Sequence, residues 1–314
     1  METNAEKKIG IKKIVFIVLC VLVALPFIYY GIASLFPAKY HLAFELLDNG
    51  TYECVGIRGA TPGKLKDTLE IPAEYDGKKV TSVDIREEHP HLENIKIIKI
   101  AEGIENVVLG FSSSYEESLE RIELPSTVKT MTNQRIGTDT EIIFSGNSYI
   151  ENIDNCFITK KDRKLIAATK GCKIPSSIES IGSYALMNLS IDELTFENEI
   201  KLIEENAFHG ANIGVLKISK NVKKVNEYAF YNAVINELQI ESTDTLFSPY
   251  AFKNAKIQTL VFDVLPSTFP EGEQLTFDGD HLEWYYSRIP NEDIRGMEEV
   301  ESDRIGYKKY RNEY

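Results

Sequence analysis

Side chains that commonly carry out chemistry are scarce in this chain of 314 residues, which contains 5 histidines and 4 cysteines. Cys54, Cys156 and Cys172 lack the close spacing of zinc ligands. His89 and His91 form a pair, but no third ligand follows at a suitable spacing. Phosphate-binding loops, nucleophile elbows and zinc-protease motifs are absent from the sequence as well. We therefore predict no catalytic residue, no metal and no cofactor, and an enzyme with an unrecognised site is the least favoured alternative.

Positive charge is also in short supply, because 35 lysines and arginines stand against 48 aspartates and glutamates, for a net charge of −13. Five lysines and two glutamates give residues 1–39 a charge of +3, so residues 40–314 carry −16. Binding to nucleic acid needs a clustered positive face, which this composition does not offer. We therefore predict no nucleic-acid partner, whereas a basic or polar partner is compatible with the charge.

An uncharged run of 23 residues extends from Ile14 to Phe36, and four lysines precede it. A helix of this length spans a hydrocarbon core of about 30 Å. The lysines place the N-terminus in the cytoplasm by the positive-inside rule, with the rest of the chain outside. We predict a basic cytoplasmic tail over residues 1–13 and a single-pass plasma-membrane anchor over 14–36. A cleaved signal peptide, which would release a secreted protein, is the alternative, because small residues occur between Gly31 and Ala33.

The most informative stretch runs from Gly171 to Asp263 and repeats itself with a step of 22 residues. Such self-similarity is typical of stacked arrays, in which each unit covers the apolar face of its neighbour. The predicted core columns are Ile191, Ile213, Ile235 and Ile257; Leu194, Leu216, Leu238 and Leu260; Phe196, Ile218, Ile240 and Phe262; and the pairs Ala207-Phe208, Ala229-Phe230 and Ala251-Phe252.

Within each unit, the Leu-x-(Ile/Phe) segment alternates with a period of two, which predicts a short strand with one inward and one outward face. The outward positions form a grid with several carboxylates, and we predict it as the candidate partner-binding face. A solvated face with no partner, or binding by the flanking loops, are the alternatives. The grid consists of Glu193, Thr195, Glu197, Val215, Lys217, Ser219, Glu237, Gln239, Glu241, Thr259, Val261 and Asp263.

The segments 174–186 and 69–83 carry a resemblance to a known family. Residues 174–186 resemble the strand, turn and Ala-Phe unit of the BspA-type leucine-rich repeat proteins of bacterial cell surfaces, and residues 69–83 resemble the usual opening unit of that family. The resemblance implies a leucine-rich repeat solenoid, built from a parallel β-sheet of short strands with short helical or irregular returns. Here one N-terminal transmembrane helix would precede it. In that family the positions of Cys156 and Cys172 hold buried small residues, which implies packed thiols, although a disulfide between them stays open in an oxidising compartment.

The units before residue 171 are irregular. We expect a capping hairpin within residues 37–68, because Asn49-Gly50 separates two strand-like runs. Repeats are expected over 69–277, with strands ending at Ile71, Ile100, Leu124, Phe144 and Ile174 and with insertions between them. Residues 278–314 are predicted to form a cap around Trp284–Tyr286 and a charged tail, either a docked helix or disordered.

These features predict a membrane-tethered extracellular protein that binds a protein or surface-glycan partner, in the manner of an adhesion module, without catalysis. A structural or assembly partner of another membrane protein is the alternative function.

Overall fold

The 22-residue repeat folds into stacked coils, and each regular coil contributes one long and one short β-strand. The structure is a computed structural model that describes residues 23–29, 32, 39–61, 66–86, 95–110, 119–134, 138–144, 146, 149–195, 200–241, 245–248, 250–262, 284–287, 297–300, 302 and 308–312. Nearly all of the regular elements in these ranges are strands, apart from helical residues at 23–29 and 32. Stacked coils therefore bury their apolar columns between sheets.

The strands of the first half are β1 (Tyr40–Leu46), β2 (Tyr52–Ala60), β3 (Thr68–Ile71), β4 (Glu74–Tyr75), β5 (Lys78–Ile85), β6 (Ile97–Ile100), β7 (Asn106–Gly110), β8 (Arg121–Leu124), β9 (Thr130–Gln134) and β10 (Glu141–Phe144). Those of the second half are β11 (Ile150–Ile153), β12 (Cys156–Thr159), β13 (Lys164–Ala168), β14 (Ser180–Ile181), β15 (Ser190–Thr195), β16 (Leu202–Ile203), β17 (Asn212–Ile218), β18 (Lys224–Val225), β19 (Val234–Ile240), β20 (Leu246–Phe247), β21 (Lys256–Phe262), β22 (Trp284–Ser287), β23 (Met297–Val300) and β24 (Lys308–Asn312).

The first half contains two sheets, one with the order β1-β2-β5-β7-β9, to which β4 adds by pairing with β5, and one with the order β10-β8-β6-β3. β1 and β2 form an antiparallel hairpin, and Gly50 in its turn has a φ of 82°. Glycine adopts this conformation without steric cost. β2 pairs in parallel with β5, so the hairpin covers the first edge of this sheet. The expected strand ends at Ile71, Ile100, Leu124 and Phe144 coincide with the ends of β3, β6, β8 and β10.

The second half also contains two sheets. The front sheet has the order β15-β17-β19-β21-β22-β24-β23, and the rear sheet has the order β11-β12-β13-β14-β16-β18-β20. In the front sheet Leu194, Leu216, Leu238 and Leu260 stand side by side in a parallel register, and all four are buried. The predicted solenoid with stacked apolar columns is confirmed for these strands. Ile191 is only partly buried, Phe196 lies outside the described residues, and of Phe262 only the backbone is described.

The returns between the front and rear strands are irregular turns, not helices. The rings of Phe208, Phe230 and Phe252 stack in the interior with centroid distances of 4.7 and 4.8 Å. The backbone N–H of Phe230 donates to the carbonyl of Ala251 at 2.8 Å, which extends the ladder through the turns. Alanine permits this close approach, because a larger side chain would separate the coils.

Each return also ends in the left-handed backbone region. Asn188, Gly210, Asn232 and Asn254 have φ values of 57°, 66°, 56° and 58° and recur with the 22-residue step. Asparagine and glycine tolerate this conformation better than other residues do. A periodic Asn/Gly column thus shapes the turns.

One coil is shorter than the others. Leu165 of β13 pairs with Ile181 of β14, a step of 181 − 165 = 16 residues, whereas Ile181 pairs with Ile203, a step of 203 − 181 = 22. This coil therefore lacks six residues, and its segment 172–175 forms no strand. The prediction that a strand ends at Ile174 is wrong for this reason.

A disulfide joins Cys156 in β12 to Cys172 in the short coil, with 5.3 Å between their Cα atoms. The packed thiols that the family resemblance implied are therefore incorrect. The antiparallel hairpin β11–β12 and strand β13 lie within the insertion between the expected strand ends at Phe144 and Ile174. This insertion folds Cys156 back against the coil that carries Cys172.

The C-terminal residues extend the front sheet. β22 pairs in parallel with β21, and β24 and β23 add to it in antiparallel orientation. The tail was expected to be a helix or disordered, and over 297–300 and 308–312 both alternatives are wrong, because these residues are strands. The end of the expected repeat region, residues 263–277, lies outside the described residues.

Across the described ranges, no helix combines the length and the apolar character that a membrane crossing requires. Most of the predicted anchor at residues 14–36 lies outside these ranges, and residues 23–29 and 32 are its described helical part.

Candidate binding surface

The outer face of the front sheet presents side chains in columns that run from coil to coil. One column holds Glu193, Val215, Glu237 and Thr259, and the next holds Thr195, Lys217, Gln239 and Val261. Parallel strands lie about 4.8 Å apart, so the four members of a column form a continuous line. The structure therefore brings the predicted grid together in the expected register.

Not every predicted member of the grid is exposed. Val261 is 2% exposed and Ser219 is 7% exposed. The backbone of Val261 lies in register between Gln239 of β19 and Tyr286 of β22. Ser219 follows the end of β17 in a turn, where its carbonyl accepts a hydrogen bond from the N–H of Val222 at 3.2 Å.

Eight grid residues are exposed or partly exposed, while two lie outside the described residues. The exposed or partly exposed members are Glu193, Thr195, Val215, Lys217, Glu237, Gln239, Glu241 and Thr259. The two outside are Glu197 and Asp263. The exposed part of the face is therefore concentrated on β15, β17 and β19.

Two outward columns were missed by the sequence analysis. One contains Asp192, Gly214, Asn236 and Gln258, and the other contains Ser190, Asn212, Val234 and Lys256. Ile191 and Leu194 both point inward although two residues separate them, so both intervening side chains must point outward. The Ile-x-x-Leu spacing of the repeat could therefore have predicted that both intervening residues face outward. Val234 is 40% exposed and is an apolar member of this surface.

Hydrogen bonds within the face hold its carboxylates. Thr195 Oγ1 donates to Glu193 Oε1 at 3.2 Å, and Gln239 Nε2 donates to Glu237 Oε1. Lys217 Nζ forms an ion pair with Glu241 Oε1 at 2.9 Å. Neutral donors orient a carboxylate without cancelling its charge, whereas Lys217 cancels that of Glu241. Besides Glu241, the face presents the acidic side chains of Asp192, Glu193 and Glu237.

The four-stranded sheet of the first half differs in its charge. Lys99 Nζ pairs with Glu123 Oε2 at 3.2 Å, and Arg121 Nε pairs with Glu141 Oε2 at 3.1 Å across neighbouring strands. Opposite charges therefore alternate and compensate one another there. The front sheet of the second half is the more acidic of the two surfaces.

A cavity of about 570 Å³ lies beside β13 and β14, away from the front sheet. Lys164 Nζ forms an ion pair with Glu204 Oε1 at 2.7 Å in its wall, and the N–H of Ser183 donates to Glu204 Oε2 at 3.1 Å. The central carboxylate of this cavity is therefore occupied by contacts that hold successive coils together.

Metal and thiol chemistry finds little support in the described residues. Within them, no three His, Cys, Asp or Glu side chains gather where a metal ion would bind. His89 and His91 lie outside these residues. Cys54 is a free, buried cysteine, and burial raises the pKa of its thiol to about 11. A thiol with this pKa is a poor nucleophile near neutral pH.

A family match covers the regular repeats. A family model for the BspA type leucine rich repeat region matches residues 166–278 in 6 copies. The chain contains BspA-type leucine-rich repeats. This BspA-type region includes β15 to β21 and with them the whole candidate face.

Solved structures with similarity to the chain come from bacteria. A leucine-rich repeat protein of Eubacterium ventriosum is 14% identical with a TM-score of 0.40, and the match covers 80% of this chain and 84% of that one. A leucine rich cell surface protein of Faecalibacterium prausnitzii is 12% identical with a TM-score of 0.33, covering 73% and 96%. The pneumococcal vaccine antigen PcpA is 14% identical with a TM-score of 0.26, covering 72% and 92%. No curated protein matches the chain.

Proposed function

We propose that this protein is a non-catalytic binding or adhesion module whose front sheet recognises a basic or polar partner, either a protein or a surface glycan. The observation that carries the proposal is the register of β15, β17 and β19, which repeats outward polar side chains at every step. A rigid, regularly spaced surface loses little conformational entropy when it binds an extended partner. The BspA-type repeats support a binding role, because such arrays build broad surfaces.

The charge of the face specifies the kind of partner. Asp192 and Glu193 form no ion pair within the described part of the chain. Together with Glu237 they favour a ligand that carries ammonium, guanidinium or hydroxyl groups. Complementary charge of this kind increases the association rate and the selectivity more than the affinity itself.

Membrane tethering is a separate part of the proposal and is supported by the sequence alone. The uncharged run 14–36 behind four lysines supports a single-pass protein with its repeats outside the cell. Protease added to intact cells should then digest the repeats and leave a short anchored fragment. Recovery of undigested full-length chain from the soluble cytoplasm would contradict the tether and leave the binding role untouched.

The binding role is tested by charge reversal on the face. The full-length chain is used to capture partners from host and bacterial surface fractions, and the affinity for each recovered partner is then measured in solution. The variant Asp192→Lys, Glu193→Lys, Glu237→Lys should bind at least about tenfold more weakly, and wild-type binding should weaken as the salt concentration rises, because salt screens exposed charges over about 8 to 10 Å. Glu241 is left unchanged, because a lysine there would face Lys217.

A matched control reverses three exposed carboxylates away from this face, Glu70, Glu74 and Glu227. It changes the net charge of the chain by the same amount. Equal losses in both triple variants would mean that overall charge, not the front face, governs binding. Unchanged affinity in the front-face variant would exclude this face.

A further inference from the structure

Among the residues that the structure describes, the front sheet begins with an open edge. β15 pairs with β17 along one edge, and it is the terminal strand of its sheet. On its other side lie residues 171–176 of the short coil. Among these described residues, no backbone hydrogen bond joins 171–176 to β15. An unpaired strand edge presents a row of N–H and C=O groups that can pair with another chain.

The short coil cannot close this edge. The N–H of Cys172 donates to the carbonyl of Thr169 at 3.0 Å, and the N–H of Lys173 donates to the carbonyl of Asp154 at 3.1 Å. Pro175 has no N–H to donate. The disulfide to Cys156 holds the coil in this position. The open edge is therefore built into the covalent structure of the coil.

A cavity of about 590 Å³ lies between the short coil and β15. Its apolar lining includes Cys172, Ile174, Leu189 and Ile191. Ile191 is only partly buried, whereas Ile213 and Ile235 in the equivalent positions of the next coils are fully buried. Ile174 is likewise only partly buried, whereas Ile218, two steps of 22 residues further on, is fully buried. The cavity therefore has room for apolar side chains of an added strand.

The charge beside the cavity specifies the added strand further. Asp192 and Glu193 lie in its lining on β15, and Lys173 is the one basic residue among the lining residues that the structure describes. Both carboxylates are exposed on the outer face. A strand beside β15 would place alternate side chains inward and outward, so its outward residues would meet these carboxylates.

We propose that the open edge of β15 accepts an extended segment of a partner protein as an added β-strand, with apolar side chains in the cavity and basic side chains facing Asp192 and Glu193. Strand addition gains affinity from backbone hydrogen bonds and specificity from pockets for alternate side chains. The proposal rests on the binding role proposed above, but it concerns the edge of the sheet and not its face.

The probe is a fluorescein-labelled peptide of eight residues that alternate valine and lysine, added to the full-length chain and followed by fluorescence anisotropy. The control peptide has the same sequence with alternate amides N-methylated, which keeps the charge and removes the backbone donors on one edge. The control should bind at least about tenfold more weakly, because each unmade buried hydrogen bond reduces the affinity. Equal binding of both peptides would show charge attraction only and would overturn the proposal.

A variant of the chain tests the edge from the other side. The backbone N–H of Asn212 donates to the carbonyl of Leu189 at 2.8 Å, so this carbonyl points toward β17. The N–H of Ser190, on the opposite side of the same peptide group, points away from β17. Ser190→Pro removes this outward donor at the first residue of a strand, where proline is tolerated. Peptide affinity should fall about three- to tenfold, while Ser190→Ala should leave it unchanged.

Other results would overturn the proposal. One is an unchanged peptide affinity in a folded Ser190→Pro variant. A second is no peptide binding at millimolar concentration. A third is a dimer of the chain in sedimentation that Ser190→Pro dissociates, because the edge would then be occupied by a second copy. A loss of peptide binding in Glu237→Lys but not in Ser190→Pro would place the ligand on the face. In that case the proposed function would stand and the edge site would fail.

Discussion

Cys156 and Cys172 are bonded through their sulfur atoms, and this bond fastens the β11–β12 hairpin to the coil that is six residues short. It closes a loop with a sequence separation of 16 residues. A cross-link of this length stabilises the fold mainly by restricting the unfolded chain.

We expect the double variant Cys156→Ser, Cys172→Ser to lose about 3 kcal/mol in its free energy of unfolding. In urea unfolding of the wild type, reductant should likewise lower the urea concentration at the unfolding midpoint. Cys54→Ala, which removes the free cysteine, should leave the response to reductant intact. Coincident unfolding curves with and without reductant would show that the bond adds no stability.

Leu216 and Lys217 are neighbours on opposite faces of β17. Leu216 is fully buried, so Leu216→Ala should cost about 2 to 5 kcal/mol through lost transfer energy and the cavity it leaves. Lys217→Ala removes one partly exposed ion pair with Glu241 and should cost at most about 1 kcal/mol. Comparable losses at both sites in urea unfolding would contradict the inward and outward assignment of the strand.

Gly214 in β17 lies against the main chain of β15. A Cβ atom placed there would overlap the carbonyl oxygen of Asp192, and a backbone atom cannot move aside cheaply. Gly214→Ala should therefore lower the free energy of unfolding by about 1 to 3 kcal/mol. Gly59→Ala is the matched control in a strand, because no atom lies within 4 Å of the added carbon. A stability of Gly214→Ala equal to that of the control would show that the strands separate without cost.

The stability of the fold should depend on Cys54 at alkaline pH. Burial raises the pKa of its thiol from 9.0 to about 11, so the folded state favours the protonated form. Such a group contributes fully below the unfolded pKa, and its contribution is lost as the pH rises through the folded pKa. The free energy of unfolding should decline between about pH 9 and pH 11 by up to about 3 kcal/mol.

Other groups titrate in the same range, so the measurement is the difference between wild type and Cys54→Ala. Tyr40, whose pKa is raised by burial and by Asp67, is unchanged in that comparison. The variant should lose the part of the pH dependence that belongs to the thiol. Parallel pH profiles for the two proteins would contradict the assignment.

Local sequence signals predicted much of the fold. Leu194, Leu216 and Leu238 could be placed in one buried column, because stacked coils bring residues of equal phase together. The Asn49-Gly50 turn predicted the first hairpin, because both residues tolerate positive φ. For the candidate face, Glu193 and Glu237 followed from the same period, and Asp192 could have been added from the Ile-x-x-Leu spacing.

Two features of the face lay beyond the repeat pattern. Ser219 is buried in the turn that follows β17, and Val261 is buried although Lys217 and Gln239 of the same column are partly exposed. Period alone assigns a side chain to one side of a strand. It does not predict how much of that side is covered by the following turns and strands.

The sequence by itself determined the stacked architecture, because stacking the 22-residue units places the apolar residues of each column against their equivalents in the next unit and buries them. The tertiary structure alone decided the Cys156–Cys172 bond, the strands after residue 283 and the open edge of β15. Each of these depends on which backbone and side-chain groups meet across long separations in the chain. These contacts depend on the insertion that folds Cys156 back and on the six residues missing before Ile181. Neither feature belongs to the 22-residue repeat pattern, so the pattern could not predict them.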